Sequence, residues 1–229
     1  MLVLRLDAPF GVCRTFTAGS FRPTASFITP SAAYGLLLNI AGIEMRHDDD
    51  KSVATLIRAK GLPAVDIALG ARGELPRQQS MFQQLHNYPV GNSGKEHKEA
   101  AKGNKYNITP ARRAFLSGIH AYIAVRGDEE LEGRIVRGLA GETDRSYGLP
   151  FVGDNSFLPD RLEAVEEPEA ARWYIPVAAE DEDEVREDIT RLTISVDRIS
   201  MHNTRSALFA PQQVPCAEIP EQAWVTVAY

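Results

Sequence analysis

Residues 29–42, TPSAAYGLLLNIAG, determine the first helix and with it the start of the fold. Thr29 is a residue type that caps helix N-termini, and Pro30 suits the first helical position because no backbone donor is needed there. Gly42 supplies a stop signal after the apolar run. Ahead of this helix, residues 1–6 alternate apolar and charged side chains, a pattern that predicts a β-strand.

The elements that follow predict an α+β fold. Apolar periodicity and turn signals indicate strands at residues 65–69, 77–86, 113–125, 192–196 and 224–227, and helices at residues 53–59 and 129–139. The order strand, helix, strand, strand, helix, then a strand after a glycine-rich stretch is that of the split βαββαβ unit. We therefore expect a ferredoxin-like domain over residues 1–145 and a smaller β-rich region over residues 146–229.

The segment between the strands at 77–86 and 113–125 is interpreted as an exposed insertion. Residues 91–105, GNSGKEHKEAAKGNK, contain no aliphatic side chain larger than alanine, so they cannot anchor in a core. Six cations oppose two glutamates in residues 91–113, a net charge of +4; the cations are Lys95, Lys98, Lys102, Lys105, Arg112 and Arg113. The pattern predicts a mobile surface loop or a basic projection over about residues 88–108.

The net charge of the chain hides this basic segment. The 229 residues carry a formal charge of −6, and the acidic run at residues 180–188 alone holds seven acids and one arginine. The rest of the chain is therefore neutral as a whole, which permits a locally basic nucleic-acid surface. We interpret the acidic run itself as a solvated loop or helix start.

Composition excludes several protein classes. Apolar residues at 44% exclude wholesale disorder, and no apolar run approaches the roughly 20 residues that span a bilayer. The N-terminal sequence shows neither a basic region nor a small-residue cleavage site, so no signal peptide is predicted. Cys13 and Cys216 fit no metal or redox spacing. We expect a cytoplasmic protein with reduced thiols, no membrane contact, no cofactor and no metal.

The sequence contains none of the common catalytic motifs. Patterns for a P-loop, a zinc site, a nucleophile elbow and HExxH are missing, and the five histidines show no metal-binding spacing. His120 lies within a predicted strand and is interpreted as a core or interface residue rather than a base. Gly148 and Gly153 belong to a glycine-rich run that fits either a tight turn or a close approach of backbone to phosphate.

The loop that precedes the first helix has the composition of a nucleic-acid contact. It holds Arg14, Phe21, Arg22 and Ser26. Arginine and hydroxyl groups bind phosphate, and aromatic rings stack on unpaired bases. The same loop equally fits a structural role with its phenylalanines in the core.

Residues 21–42, FRPTASFITPSAAYGLLLNIAG, resemble the N-terminal signature of the Cas-five family, a CRISPR-associated subunit of type I interference complexes. In that family a loop with Phe, Arg and Ser leads into a Pro-Ser-x-x-x-Gly-Leu-Leu helix start, which a glycine closes. The matching residues here are Pro30, Ser31, Gly35, Leu36, Leu37 and Gly42. Residues 148–157 are similar to the family's later glycine-rich loop, and the lysine-rich insertion sits where the family carries its thumb.

The resemblance implies a ferredoxin-like, RNA-recognition-motif-like domain that caps the 5′ handle of the CRISPR RNA. The thumb would reach the RNA and a backbone subunit, and a large subunit would pack beside the domain, near the entry of target DNA. The RNA-binding residues carried over from the resemblance are Arg14, Arg22, Ser26, Pro30, Ser31 and Tyr34. Further candidates come from the residues alone, because they lie on the hairpin or follow the insertion: Arg77, Gln79, Arg112 and Arg113.

One branch of the family is a metal-independent ribonuclease that uses Tyr, Lys and His. The resemblance puts Ala32 near the position of that tyrosine, with Tyr34 two positions away. The nearest Lys-His neighbours are His97 and Lys98, inside the insertion. We therefore expect a non-catalytic subunit. The alternatives are a guide-processing ribonuclease, a subunit that binds only proteins, and an unrelated ferredoxin-like metabolic protein.

Overall fold

The computed structural model describes residues 1–15, 17, 21–45, 61–86, 108–145, 148–177, 187–197 and 201–229. The strands are β1 (Leu2–Gly11), β2 (Phe21–Arg22), β3 (Val65–Ala71), β4 (Arg77–His86), β5 (Ile108–Arg126), β6 (Arg161–Val165), β7 (Arg172–Pro176), β8 (Thr190–Ser195), β9 (Arg205–Pro211) and β10 (Val225–Val227). The helices are α1 (Pro30–Ile40) and α2 (Glu129–Leu139), and 3₁₀ turns cover Met201–Asn203 and Glu221–Ala223.

These strands form a single sheet in the described part of the chain. Its order is β6-β1-β5-β3-β7-β9-β8, with β2 and β4 pairing to β5, and β10 pairing to β3. The pairings are antiparallel except for β2 with β5. β5 is the central strand, because its first half pairs with β4 and its second half lies between β1 and β3. The α+β class is therefore confirmed, with a large antiparallel sheet and two helices.

The two sides of the sheet bury different clusters. Leu4, Leu6 and Ile123 pack with residues of α1 and α2 in the main core. Val3 and Trp173 belong to a smaller cluster on the opposite side, which packs against the segment around residues 216–224. Alternate residues of a strand face opposite sides, so this division assigns each side chain of β1 and of the second half of β5 to one side. Both helices lie on the side of the main core.

The predicted helix start is confirmed in detail. Thr29 Oγ1 accepts a hydrogen bond from the backbone N–H of Ala32 at 3.2 Å, and Pro30 is the first helical residue. α2 is capped in the same way by Asp128, whose carboxylate accepts from the N–H of Leu131 at 2.8 Å. The two helices approach closely at Gly138, where a Cβ would lie 1.9 Å from the carbonyl oxygen of Ile40.

Most predicted elements are confirmed, with longer bounds for two strands. β1 continues to Gly11 and β5 begins at Ile108, because both take part in pairings beyond the apolar core. The helix expected at residues 53–59, the insertion at 91–105 and most of the acidic run at 180–188 lie outside the described residues. The boundary near residue 145 stays a prediction; β6, which follows it, pairs with β1. None of the helices described here has the length and apolar character that a membrane crossing requires.

Candidate functional site

β4 and the first half of β5 form a two-stranded arm at one end of the sheet. The arm runs from the pair Arg77–Ser117 to the pair His86–Ile108. β1 joins β5 only from Leu116 onward, so residues 108–115 of β5 pair with β4 and the short β2 alone. The residues between the two strands of the arm are those of the predicted thumb. The expected hairpin pairing is thus confirmed, while the thumb itself remains a prediction.

An exposed row of three side chains crosses the arm. Phe21 of β2 and Phe82 of β4 both pair with Arg112 of β5, and cross-strand partners share one side of a sheet. The guanidinium carbon of Arg112 lies 5.8 Å from the centre of the Phe21 ring, a cation–π distance. Ser80 Oγ accepts hydrogen bonds from Nε and Nη2 of Arg112 at 3.2 and 3.1 Å. We call Phe21, Arg112 and Phe82 the aromatic row.

The aromatic row is unusually open to solvent for its composition. Phe82 is 82% exposed and Phe21 is 43% exposed. Large exposed aromatic side chains are costly to leave in water and mark contact sites when they occur together. A cation held between two open rings can stack on bases and bind a phosphate with its free N–H groups.

The loop between β1 and α1 is anchored by its own backbone. The N–H of Ala25 donates to the carbonyl of Cys13 at 2.8 Å, and Thr24 Oγ1 accepts from the N–H of Cys13 at 2.9 Å. Arg14, Arg22 and Ser26 remain exposed on this loop. The loop therefore presents two arginines to solvent. Arg22 follows Phe21 and pairs with Arg113, so it faces the side of the arm opposite the aromatic row.

A buried carboxylate, Asp154, connects three separate segments. Its Oδ2 accepts from Nη2 of Arg14 at 2.8 Å and from Nη2 of Arg113, and its Oδ1 accepts from the N–H of Ser156 at 3.0 Å. The side chains of Asp154 and Arg113 are each 7% exposed, whereas that of Arg14 is 61% exposed. We call this arrangement the Asp154 link. It ties the arm and the loop between β1 and α1, which we call the first loop, to the glycine-rich loop.

The glycine-rich loop packs against the protein rather than standing open for a ligand. Gly153 has φ +74°, and a Cβ there would lie 1.7 Å from the carbonyl oxygen of Val12. The N–H of Val12 donates to the carbonyl of Val152 at 3.0 Å, so the two segments run side by side. The guanidinium of Arg113 lies 5.6 Å from the ring centre of Phe157, which covers it. These contacts favour the structural interpretation of Gly153.

The protonation of Asp154 makes the link sensitive to acid. Burial alone would raise the pKa of this carboxyl, but hydrogen bonds from Arg113, the Ser156 N–H and Arg14 outweigh burial and hold the pKa well below its usual range. A depressed folded-state pKa contributes stability that is fully present above the unfolded-state pKa of about 3.9 and is lost progressively as the pH falls from there toward the folded-state pKa.

We expect the wild-type free energy of unfolding to fall more steeply below about pH 4 than that of Asp154→Asn, because only in the wild type does the unfolded chain take up a proton at this position while the folded protein keeps an ionised carboxylate. Urea denaturation at a series of pH values between about 6 and 3 measures both slopes. Equal slopes for the two proteins would contradict the assignment of Asp154 as an ionised, buried partner of Arg113.

The predicted RNA-binding residues divide into accessible and buried groups. The exposed members are Arg14, Arg22, Ser26, Arg77, Gln79, Arg112 and Gly148, and Ser31 is half-buried. β2 pairs Phe21 with Arg112 and Arg22 with Arg113, so Arg22 lies on the strand next to Arg112 but faces the opposite side of the arm. Gln79 donates to Ser117 Oγ at 2.9 Å at the root of the arm. Lys95, Lys98, Lys102 and Lys105 lie outside the described residues.

Three predicted contact residues are buried in the structure. Tyr34 is fully buried, its hydroxyl donates to the carbonyl of Pro63 at 2.7 Å, and its ring stacks on Tyr229. Pro30 is buried at the helix start, and Arg113 is enclosed in the Asp154 link. The contacts of these side chains lie within the fold, and their contact with RNA stays a prediction.

Sequence reasoning missed two contributors to the site. Phe82 stands in a glutamine-rich strand, and its neighbours gave no sign that it would pair with an arginine. Asp154 lies in the sequence Gly-Asp-Asn-Ser, which is a turn signal that pointed to backbone geometry rather than to a buried charge. Within the described residues, no group of three or more His, Cys, Asp or Glu side chains is placed to hold a metal ion.

Comparisons with known proteins identify similar chains. Residues 1–147 match a family model described as CRISPR-associated protein (Cas_Cas5). No curated protein matches the chain significantly. A solved chain described as "CRISPR RNA-guided surveillance complex" is 16% identical, with 93% of this chain and 90% of that chain covered and a TM-score of 0.59. Another, described as "Crystal structure of Cas protein", is 16% identical with a TM-score of 0.49, over 93% of this chain and 94% of that chain.

Proposed function

Because the chain belongs to the Cas5 family of CRISPR-associated proteins, we propose that it is a non-catalytic subunit of a type I surveillance complex that binds and caps the 5′ handle of the CRISPR RNA. The observation that carries the proposal is the aromatic row, in which the exposed Arg112 pairs with Phe21 and Phe82. Single-stranded RNA is recognised through stacking on its bases and contacts to its backbone, and this surface offers both.

The order of the strands supports the fold that this function needs. The elements β1, α1, β3, β5, α2 and β6 follow the chain order of a βαββαβ unit, and their strands lie in the order β6-β1-β5-β3. A ferredoxin-like, RNA-recognition-motif-like domain is the fold we propose, and because its last strand is β6, the proposed domain extends past the predicted boundary at residue 145 to residue 165. The lysine-rich segment that links β4 to β5 along the chain is its proposed thumb.

The proposed partners follow from the same assignment. We place the guide RNA against the first loop and the arm, a backbone subunit against the thumb, and a large subunit beside the domain where target DNA enters. The solved chain that shares this fold is described as part of a surveillance complex, which supports an assembled rather than an isolated state. The proposed compartment is the cytoplasm, where guide RNA and target DNA meet.

The aromatic row makes the first binding prediction. Phe82→Ala and Arg112→Ala should each weaken the retention of guide RNA by the assembled complex about 5- to 100-fold, because stacking on one base contributes about 1–3 kcal/mol. Arg112→Ala should also lower the slope of log affinity against log salt by about 0.7, the effect of one lost phosphate contact on a single strand. Filter binding of labelled guide RNA at several salt concentrations measures both quantities.

Matched controls come from exposed residues away from the arm. Arg191→Ala removes an exposed arginine of β8, and Val214→Ala removes an exposed apolar side chain that is 76% accessible. Neither should change RNA affinity. If Phe82→Ala and Arg112→Ala both keep the wild-type affinity and salt dependence, the aromatic row is not part of the binding surface. Cleavage of repeat RNA by the purified chain in EDTA would contradict the non-catalytic part of the proposal.

A further inference from the structure

The side of the sheet opposite the helices carries a row of charged side chains next to the arm. The register places Arg161 of β6 opposite Asp7 of β1, and Asp7 opposite His120 of β5. Arg72 follows β3 and continues the row, because its N–H donates to the carbonyl of His120 at 2.9 Å. Val3 and Tyr122, which face the same side, are buried, so the charged row begins where the smaller core ends.

Asp7 holds three neighbouring side chains in fixed positions, those of Arg5, His120 and Arg72. Its Oδ2 accepts from Nε of Arg5 at 2.8 Å, and its Oδ1 lies 2.7 Å from Nδ1 of His120 and accepts from Nη2 of Arg72. Burial alone would raise the pKa of Asp7, but hydrogen bonds from His120 and Arg5 and the charge of Arg72 lower it. An ionised Asp7 only accepts, so Nδ1 of His120 donates to it and Nε2 is left for a ligand.

His120 lines a cleft of about 570 Å³, a volume within the usual size range of small-ligand sites. Arg72, Arg77, Ser117, His120 and Glu169 line it. The side chain of His120 is 55% exposed. Gly118, with φ +68°, has no atom within 4 Å of the position a Cβ would take, so β5 leaves the cleft open there.

The cleft combines donors and acceptors in the way a ribonucleotide requires. Arg77 is exposed, and its ion pair with Glu74, at 3.2 Å, is equally exposed and therefore weak enough to exchange for a phosphate. Nε2 of His120 supplies a hydrogen-bonding atom and Glu169 supplies acceptors for O–H and N–H groups, while the Ser117 hydroxyl already binds Gln79 and the carbonyl of Arg77. An acidic peptide would use only the donors, and DNA lacks the 2′-hydroxyl, which can both donate to and accept from a ring nitrogen.

We propose that this cleft holds one ribonucleotide of the guide RNA at the root of the arm, with Arg77 on its phosphate and Nε2 of His120 hydrogen-bonded to the ribose 2′-hydroxyl. The assignment rests on the proposed function, because it supposes that RNA follows the arm. Arg72 and Asp7 act as positioning residues, since they orient His120 and do not themselves contact the nucleotide. The subsite is separate from the aromatic row and reads the sugar rather than the base.

The test uses the assembled complex and guide RNAs that each carry a single 2′-deoxy nucleotide in the 5′ region. In the wild type, one position should bind about 2- to 10-fold more weakly, the effect of one lost hydrogen bond. His120→Phe removes Nε2, keeps an aromatic ring at this position and leaves Asp7 paired with Arg5 and Arg72. In that variant the same 2′-deoxy substitution should have no further effect.

Two further variants change the charge of the cleft without disturbing the core. Arg77→Gln should weaken binding of the all-ribose RNA about 2- to 5-fold and leave the 2′-deoxy penalty intact. Glu74→Gln frees Arg77 and removes a repelling carboxylate, so it should strengthen binding by a similar factor.

Several results would overturn the assignment. One is that His120→Phe leaves both the RNA affinity and the 2′-deoxy profile unchanged. Another is that the cleft variants lose a protein subunit from the complex while RNA affinity stays intact, since a protein would then fill the cleft. If Arg112→Ala and Phe82→Ala weaken RNA binding while the cleft variants do not, only the subsite fails. If the wild-type complex holds no guide RNA, the proposed function fails as well.

Discussion

Asp154→Ala is expected to lower the free energy of unfolding by about 3–5 kcal/mol, the typical cost of leaving one member of a buried ion pair without its partner. The reason is Arg113, whose side chain is 7% exposed and whose guanidinium would be left enclosed under Phe157 without a counter-charge. The loss also releases Arg14 and the N–H of Ser156, so three segments are separated by one substitution. Urea denaturation of the full chain measures the change.

Two comparisons separate the buried charge from charge loss in general. Glu74→Ala breaks the exposed pair with Arg77 and should cost less than about 1 kcal/mol. The double variant Arg113→Met with Asp154→Leu replaces both charges by apolar groups and should recover most of the stability that Asp154→Ala loses. If Asp154→Ala is no less stable than Glu74→Ala, then Arg113 finds another partner or water and the Asp154 link does not hold the segments together.

Local sequence signals were sufficient for the elements that are governed locally. Thr29 and Pro30 define the beginning of α1 through capping and backbone geometry, both of which depend on neighbours within four residues. α2 has the same property, with its cap at Asp128 and an apolar face that includes Leu131 and Ile135. Such elements can be predicted because no distant contact is needed to specify their bounds.

Elements that depend on distant partners were predicted less well. β2 is two residues long and exists because Phe21 and Arg22 pair with the arm, more than 80 residues further along the chain. β7 and β9 stabilise each other, and neither shows a regular alternation of apolar and polar residues. A pattern within one segment cannot report a pairing whose other strand lies elsewhere.

The candidate site shows the same limit at the level of side chains. Arg112 and Arg113 are adjacent and identical in type, so the sequence predicted one role for both. Strand alternation sends them to opposite sides, and the side of Arg113 is covered by the glycine-rich loop with its buried Asp154. Arg112 faces Phe21 and Phe82 and stays open to solvent. Only the register of the arm decides which arginine can meet RNA.

Gly153→Ala should be at least as damaging as the loss of Asp154, although it removes no interaction. A left-handed backbone costs an alanine about 1–2 kcal/mol, and φ at Gly153 is +74°. The new Cβ would also lie 1.7 Å from the carbonyl oxygen of Val12, so one of two backbone segments must move. That movement would pull the adjacent Asp154 away from Arg113 and Arg14.

Gly141→Ala is the matched control, because Gly141 has φ +79° and no atom within 4 Å of the position a Cβ would take. It incurs the left-handed cost alone, so it should destabilise the fold by about 1–2 kcal/mol and leave the acid sensitivity of the Asp154 link unchanged. Gly153→Ala should exceed it by several-fold in urea denaturation and should flatten the pH slope that Asp154 produces. Equal losses in the two variants would mean that the loop can shift freely away from Val12, and that Gly153 is required only for its backbone angle.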